Sequence, residues 1–300
     1  MPQRRDGKGS DPLEGSLFLL ESAMLGRGRS GRSRQALEAS NAVGAAYWRA
    51  GRYAEAAQLL ERVAGDCAAV LGAADPDALV VVGNLAVTYV CQQRYDQGLD
   101  LMARNVDDRV QVLGDTHPRT LVARHALAIA YQLADRLPEA LRTFTAVAAQ
   151  RTRVLGPAHP DTLVSRLGLA AARADAGDVV GAVAVLAAAL EDAEQSVGAL
   201  DDTTITIRTH LAHGQAALGR HDQAVAGLER AVADSAVLVG PAHPDTTALQ
   251  ADLEELRGAA APADDVELPR PRPAYDGRPG GSPVDGPRFR LGRPQAEGQV

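Results

Sequence analysis

Aromatic residues are scarce in this chain of 300 residues, at 3% of the sequence, whereas 46% of its residues are hydrophobic. A core with so few rings must be filled by small aliphatic side chains, mainly alanine and leucine. Such side chains suit closely packed helices better than β-sandwiches or barrels. The composition therefore predicts an all-α protein.

Lysine is almost absent, since Lys8 is the single lysine among 31 basic residues. A phosphate-binding-loop lysine or a Schiff-base lysine could stand nowhere else, and the sequence around Lys8 has neither pattern. These two kinds of catalytic site are therefore excluded. The preference for arginine over lysine, together with the high alanine content, favours a GC-rich bacterial genome.

Cysteines and long apolar runs are also few. Cys67 and Cys91 have no C-x-x-C spacing and no paired histidines, so neither a zinc site nor a redox dithiol is expected, and both should be reduced thiols in a cytoplasmic protein. The longest apolar run, Val179–Leu190, is too short for a membrane span, which needs about 20 residues. We therefore expect no membrane association.

Basic residues are outnumbered by acidic ones, and the net charge of the chain is −7. Nucleic-acid binding needs a basic face, so we expect none. The segment Gly26–Gly31 matches G-x-G-x-x-G, but no alternating strand and helix pattern surrounds it, so we expect no nucleotide and no other cofactor.

A period of 42 residues dominates the sequence. Three anchors recur in register: an aliphatic residue followed by glycine, an Asp or His four residues after that aliphatic residue, and a leucine fourteen residues after it. The aliphatic-glycine pairs are Leu71-Gly72, Leu113-Gly114, Leu155-Gly156, Val197-Gly198 and Val239-Gly240. Three anchors in register indicate an internal repeat.

Each period predicts two helices. The first opens at X-Pro-Asp, where proline fits the first helical position, and should run from about Asp77 to Cys91 in the second repeat. A short turn and a second apolar-periodic helix follow, and the glycine should form a left-handed C-terminal cap. Small residues that recur at one site of each helix, such as Ala86 and Gly98, predict close packing of the two helix backbones.

The set of motifs, typified by Leu155–Leu163 and by Asn84–Tyr89 followed by Arg94-Tyr95, resembles tetratricopeptide repeats of the kinesin-light-chain type. The resemblance covers residues 33–257 and implies a right-handed superhelical solenoid of helix-turn-helix repeats. The implied repeats are 33–70, 71–112, 113–154, 155–196 and 197–238, and 243–257 is a C-terminal capping helix. Residues 1–32 should hold an Arg/Gly loop and a short helix at Leu13–Leu25 that caps the first repeat, and the Pro/Gly/Arg-rich residues 258–300 should be disordered.

In such solenoids the first helix of each repeat lines a concave groove, so the resemblance also implies candidate partner-binding residues. The projected positions are Asn41, Trp48, Arg49, Val80, Asn84, Val87, His125, Ile129, Gln132, Asp175, Thr209, His210 and His213, with Glu38, Val164, Leu167 and Thr206 beside them. Asn84 matches the asparagine that clamps an extended peptide in this family, although it could equally bond within its own repeat. Trp48 could anchor a partner or pack against the second repeat, and Arg49 and His125 could be ordinary exposed residues.

No catalytic constellation stands out. His117, His159 and His243 recur one per repeat, too far apart to share a metal ion, and no catalytic motif is present, so we expect no metal site and no enzyme activity. The sequence therefore favours a scaffold or adaptor that binds a partner peptide or protein segment. The alternative is a regulatory or sensor subunit that works with a separate ATPase or DNA-binding partner, and self-association is left open.

Overall fold

The computed structural model of the protein describes residues 33–259. Within this range it contains eleven helices and no strand, which confirms the all-α class for these residues. The helices are α1 (Arg34–Arg49), α2 (Tyr53–Val70), α3 (Pro76–Cys91), α4 (Tyr95–Leu113), α5 (Pro118–Leu133), α6 (Leu137–Leu155), α7 (Pro160–Asp175), α8 (Val179–Ser196), α9 (Asp202–Ala217), α10 (His221–Leu238) and α11 (Pro244–Ala259). The predictions for Leu13–Leu25, for Gly26–Gly31 and for the tail beyond Ala259 lie outside the described residues. The last helix runs two residues past the predicted end at Arg257.

The first helix of each repeat begins at a side-chain cap. The carboxylate of Asp75 accepts the Asp77 N–H at 2.9 Å, and the imidazole Nδ1 of His159 accepts the Asp161 N–H at 3.1 Å. His117 and His243 make the same contact. An acceptor at this position satisfies one of the helix's orphan N–H groups. The recurring histidines are therefore helix caps.

The second helix of each repeat ends at the predicted glycine. Gly72, Gly114, Gly156, Gly198 and Gly240 all have φ between 91° and 107°, a region that side chains rarely enter. The positive φ expected at these glycines is confirmed, but ψ is 160° at Gly114 and Gly156, so the backbone there is extended and not left-handed helical. The turn between the two helices of a repeat has a left-handed residue, which the sequence analysis did not predict, and two of these residues are not glycine: Gln93 with φ 61° and Asp135 with φ 59°.

The described chain divides into two compact units, residues 33–126 and residues 127–259. We call them unit 1 and unit 2, and α5 contributes to both. In unit 1 the core includes Leu37, Leu60, Val81, Leu85 and Tyr89. One core cluster of unit 2 includes Leu163, Leu186 and Ile207, a second surrounds Phe144, and a third joins Leu228 to Leu253 of α11.

The small residues that recur in both helices lie in the tight contacts between helices, as predicted. Ala86, Ala128 and Ala212 are fully buried. A methyl group at Gly44 would lie 2.6 Å from Leu60 Cδ2, and one at Gly98 would lie 2.7 Å from Val90 Cγ2. These positions are packing sites, because no larger side chain fits without displacing a neighbour.

A cation–π contact closes the turn between the two helices in three repeats. The guanidinium carbons of Arg52, Arg94 and Arg136 lie 4.5, 4.1 and 5.1 Å from the ring centroids of Tyr47, Tyr89 and Tyr131. In the fourth repeat Arg173 replaces the tyrosine and Asp178 replaces the arginine. Their Nη1 and Oδ2 atoms lie 3.6 Å apart, so an ion pair takes the place of the cation–π contact.

Candidate functional site

Helix α1 contacts α3 in unit 1 through residues 43 positions apart in the sequence. The amide Nδ2 of Asn84 donates to Asn41 Oδ1 at 2.9 Å, and the indole Nε1 of Trp48 donates to Cys91 Sγ at 3.3 Å. Arg34 pairs with Asp77 in the same register. Positions 34, 41 and 48 are seven residues apart, about two helical turns, so they lie on one face of α1.

Asn84, the predicted peptide clamp, has no exposed surface. Its amide is held against Asn41, which is half-buried. Asn41 belongs to the first repeat and Asn84 to the second, so this hydrogen bond joins the two repeats. Of the two roles left open for Asn84, a bond within its own repeat is not what this contact provides, and the role of peptide clamp stays a prediction for a side chain buried between α1 and α3.

Trp48 is 7% exposed and lies against the second repeat. Its ring centroid is 6.3 Å from that of Tyr53, and its N–H is bonded to Cys91. Of the two readings left open for Trp48, packing is the one that the structure supports. Burial raises the pKa of the Cys91 thiol and of the Cys67 thiol, so neither is an activated nucleophile.

A cleft of about 190 Å³ opens beside this face, and we call it the α1–α3 cleft. Its floor is apolar and its rim is polar. The floor is formed by Leu37, Cys67, Leu71, Val80 and Val81, and the rim by Arg34, Glu38, Asn41, Asp77 and Arg119. Of the residues predicted for the groove, the cleft contains Glu38, Asn41 and Val80.

Part of the rim charge is neutralised within the cleft. Arg34 Nη2 lies 2.7 Å from Asp75 Oδ2, and Arg34 also pairs with Asp77. The hydrogen bond to Asp75 raises the pKa of Arg34, and the same contact lowers the pKa of Asp75. Glu38 and Arg119 are exposed, and their side chains make no hydrogen bond or ion pair with any residue in the range 33–259.

The other predicted residues of unit 1 lie off this cleft. Arg49 is exposed at the end of α1, Val87 is 5% exposed within α3, and His125 is half-buried on α5. Sequence reasoning missed Arg34, Asp77 and Arg119 as rim residues. The spacing of seven along α1 and the offset of 43 to α3 were the signals that could have found the first two.

In unit 2 the structure brings Gln132 and Asp175 together. Gln132 Nε2 donates to Asp175 Oδ2 at 2.7 Å, again across 43 residues. Ile129, on the same helix, is only 7% exposed and packs in the cluster around Phe144. The predicted partner contact at Ile129 is therefore largely covered by the fold.

The remaining predicted residues of unit 2 lie on α9. The hydroxyl of Thr209 donates to the Ile205 carbonyl at 2.9 Å, and His213 Nε2 lies 3.6 Å from Asp252 Oδ2 of α11. Burial, and to a smaller extent the charge of His213, lowers the pKa of His210 from 6.5 to about 4. Burial also lowers the pKa of His213, although Asp252 and Glu255 act in the opposite direction. The folded state therefore favours the neutral form of both imidazoles.

Neither a metal centre nor a membrane span is found in residues 33–259. No group of three or more His, Cys, Asp or Glu side chains in this range could hold a metal ion. No helix in the same range is long and apolar enough to cross a membrane.

Comparisons with known protein families and solved structures identify the type of repeat. Tetratricopeptide repeat models match residues 37–77, 77–147, 126–195 and 206–230, which together are more than half of the chain. A solved kinesin light chain from Podosopora anserina, with nearly identical TPR-like repeats, is 27% identical with a TM-score of 0.61, covering 68% of this chain and 96% of its own. BtubC (BKLC) from P. vanneervenii is 15% identical with a TM-score of 0.62 over 89% of this chain and 98% of its own, a likeness of fold alone. No curated protein matches the chain significantly.

Proposed function

The chain belongs to the tetratricopeptide repeat family, and on that premise we propose that it is a scaffold that binds a segment of a partner protein at the α1–α3 cleft. Repeats of this family support protein–protein interaction and are generally not enzymes. The observation that carries the proposal is the cleft itself. Its apolar floor is bordered by Glu38 and Arg119, two charges that the protein's own described residues leave unpaired.

The size of the cleft favours a protein partner over a small-molecule ligand. Pockets for drug-sized ligands are about 300–1,000 Å³, whereas this cleft is about 190 Å³. An engineered cavity of about 150 Å³ holds benzene, so the cleft has room for one side chain. A side chain buried in a pocket with a polar rim is the typical hot spot of a protein interface.

Other predicted contacts extend the proposal. Arg49 and His125 in unit 1, and Gln132, Asp175 and His213 in unit 2, are offered as further partner contacts. We also propose a cytoplasmic location, which is compatible with the two free thiols, Cys67 and Cys91.

The proposal is tested by quantitative affinity purification from source cells. Val80→Phe fills the cleft from its floor, and Val112→Phe makes the same change at an exposed position of α4 outside it. Circular dichroism and melting temperature establish that each variant is folded. We expect Val80→Phe to reduce recovery of the specific partner by about tenfold or more, as blocking a hot-spot pocket does, and Val112→Phe to leave it unchanged. Equal recovery by all three proteins would place the binding site elsewhere.

A further inference from the structure

The floor of the α1–α3 cleft selects for an apolar side chain. Leu37, Cys67 and Val81 are 4%, 2% and 3% exposed, so they mostly face the core, and the small part of each that borders the cleft is apolar. Burying apolar area here is favourable by about 25 cal/mol per Å². A charged side chain at the floor would lose its hydration without gaining a partner. An aliphatic or small aromatic side chain therefore fits the floor.

The rim adds one free negative charge and one free positive charge. Arg34 pairs with both Asp75 and Asp77, so one cation is shared by two carboxylates and the three side chains together keep a net negative charge at the rim. Glu38 on α1 and Arg119 on α5 remain without a partner in the range 33–259. Charges at the edge of a binding pocket select partners by complementarity. Glu38 therefore favours a basic residue on the partner, and Arg119 favours an acidic one.

Asn41 adds hydrogen-bond donors to the same rim. Asn41 lines the cleft, its Oδ1 accepts from the Asn84 amide, and no acceptor for its Nδ2 group is found among residues 33–259. An amide N–H₂ group fixed in this way can donate to a carbonyl oxygen of an extended chain. Asn84 is a positioning residue for this contact.

From these contacts, and resting on the function proposed above, we infer that the α1–α3 cleft recognises a peptide segment in which one apolar anchor residue lies between a basic residue, placed at Glu38, and an acidic residue, placed at Arg119. The anchor fills the floor, and Asn41 binds the backbone beside it. The segment carries both signs of charge, so the overall charge of the protein, −7, does not decide which partner binds.

The probe is a library of random peptides displayed on phage, selected on the immobilised full-length chain. The charge variants are Glu38→Lys and Arg119→Glu. Their matched controls are Asp100→Lys on α4 and Arg62→Glu on α2, which are exposed and do not line the cleft. Peptides enriched on the unaltered chain should share an apolar anchor with a basic and an acidic neighbour.

For a selected peptide, Arg119→Glu and Glu38→Lys should each weaken binding by about fivefold to tenfold, because each replaces an attraction by a repulsion. The controls should stay within about twofold. Selection on Arg119→Glu should exchange the acidic neighbour for a basic one. If peptides are enriched but show no charged neighbours, or bind all charge variants equally, the inference fails while peptide binding stands. If no peptide is enriched on any form of the chain, the proposed function itself is contradicted.

Discussion

Individual residues in this chain carry backbone strain at recurring positions. The turn inside each repeat needs one residue with positive φ, and in three repeats it is Gly51, Gly177 or Gly219. In the other two it is Gln93 and Asp135. Aspartate tolerates the left-handed region better than glutamine does. Gln93 is therefore the most strained of the five.

Gln93→Gly should raise the free energy of unfolding by about 0.5–1 kcal/mol, because relief of about 1–2 kcal/mol of strain exceeds the entropic cost of glycine. Gln111→Gly, inside α4 at an exposed position, should instead lower it by about 0.5–1 kcal/mol. Urea unfolding followed by circular dichroism measures both. A loss of stability at Gln93 equal to that at Gln111 would contradict the assignment of the left-handed turn.

Replacing each of two helical glycines, Gly168 and Gly65, by alanine should change the free energy of unfolding in opposite directions. At Gly168 the added carbon would lie 2.4 Å from Phe144 Cε1, and that ring is fully buried. At Gly65 no atom lies within 4 Å. Gly168→Ala should therefore lower the free energy of unfolding by about 1–3 kcal/mol, whereas Gly65→Ala should raise it by about 0.5–1 kcal/mol. Thermal unfolding of the two variants distinguishes them by the sign of the shift in Tm.

The burial of Asn84 could not be predicted from the identity of the residue alone. The sequence gives the position of Asn84 on the helix, but its burial depends on how closely α1 and α3 approach each other. That approach depends on packing with other elements, since Leu60 of α2 lies against Gly44 of α1 and shares a core cluster with Val81 and Leu85 of α3. For the same reason the packed position of Trp48 could not be separated from an exposed one before the fold was known.

At the scale of the helix, the first and last residues could be predicted from the sequence because each helix end depends on local chemistry. Proline at the first helical position and glycine after the last act through neighbouring backbone atoms. The N-cap role of His159 was not predicted, since histidine is not among the preferred cap residues, although its Nδ1 serves as the acceptor here. Repeat period and cap chemistry together therefore predicted α3 to within one residue, Pro76–Cys91 against Asp77–Cys91.

The turn of the fourth repeat has the ion pair Arg173–Asp178 in place of the tyrosine–arginine contact, and a double-mutant cycle can test this exchange. Arg173→Tyr with Asp178→Arg restores the arrangement of the first three repeats. Asp178→Arg alone should be destabilising, because it places two guanidinium groups together and removes the carboxylate that accepts the Gly181 N–H at 2.8 Å. The double variant should recover about 0.5–1 kcal/mol relative to the sum of the single changes, through the new cation–π contact. Strict additivity in the double-mutant cycle would show that the two positions do not interact.

At the scale of the whole molecule, the free energy of unfolding of unit 2 should decrease in mild acid. The pKa of His210 is lowered to about 4 in the fold, so the folded state favours the neutral imidazole. The stabilisation is fully present above the unfolded pKa of about 6.5 and is lost as the pH falls from there toward 4. Between pH 6.5 and 5.5 the loss should be about 1 kcal/mol for this one group, because the unfolded imidazole is already half protonated at pH 6.5.

The equivalent position in the second repeat is Asn84, so His210→Asn introduces a residue that this repeat position already accommodates. The variant should lack the part of the acid-dependent loss of unfolding free energy that His210 contributes. Urea midpoints at pH 7.5, 6.5 and 5.5 measure the slope for both proteins. His213 should still contribute in the variant, because burial lowers its pKa as well. An unchanged slope in His210→Asn would show that His210 does not titrate on folding.

The repeat period predicted the fold far better than it predicted the site. Anchors such as Leu155-Gly156 recur because every repeat packs in the same way, so they report architecture. Arg34, Glu38 and Arg119 do not recur, since each belongs to the one place where α1, α3 and the start of α5 surround the cleft. Arg34 and Glu38 lie on α1 and Arg119 lies on α5, two separate stretches of sequence that no local pattern connects.

The most direct measurement is photo-crosslinking in source cells with a benzophenone amino acid placed at one of two exposed positions. Position 38 lies on the rim of the α1–α3 cleft, and position 62 lies on α2 outside it. We expect a covalent adduct with one partner from position 38, lost when Val80→Phe is added, and none from position 62. An adduct from position 62 alone, or one from position 38 that survives Val80→Phe, would contradict binding at the cleft.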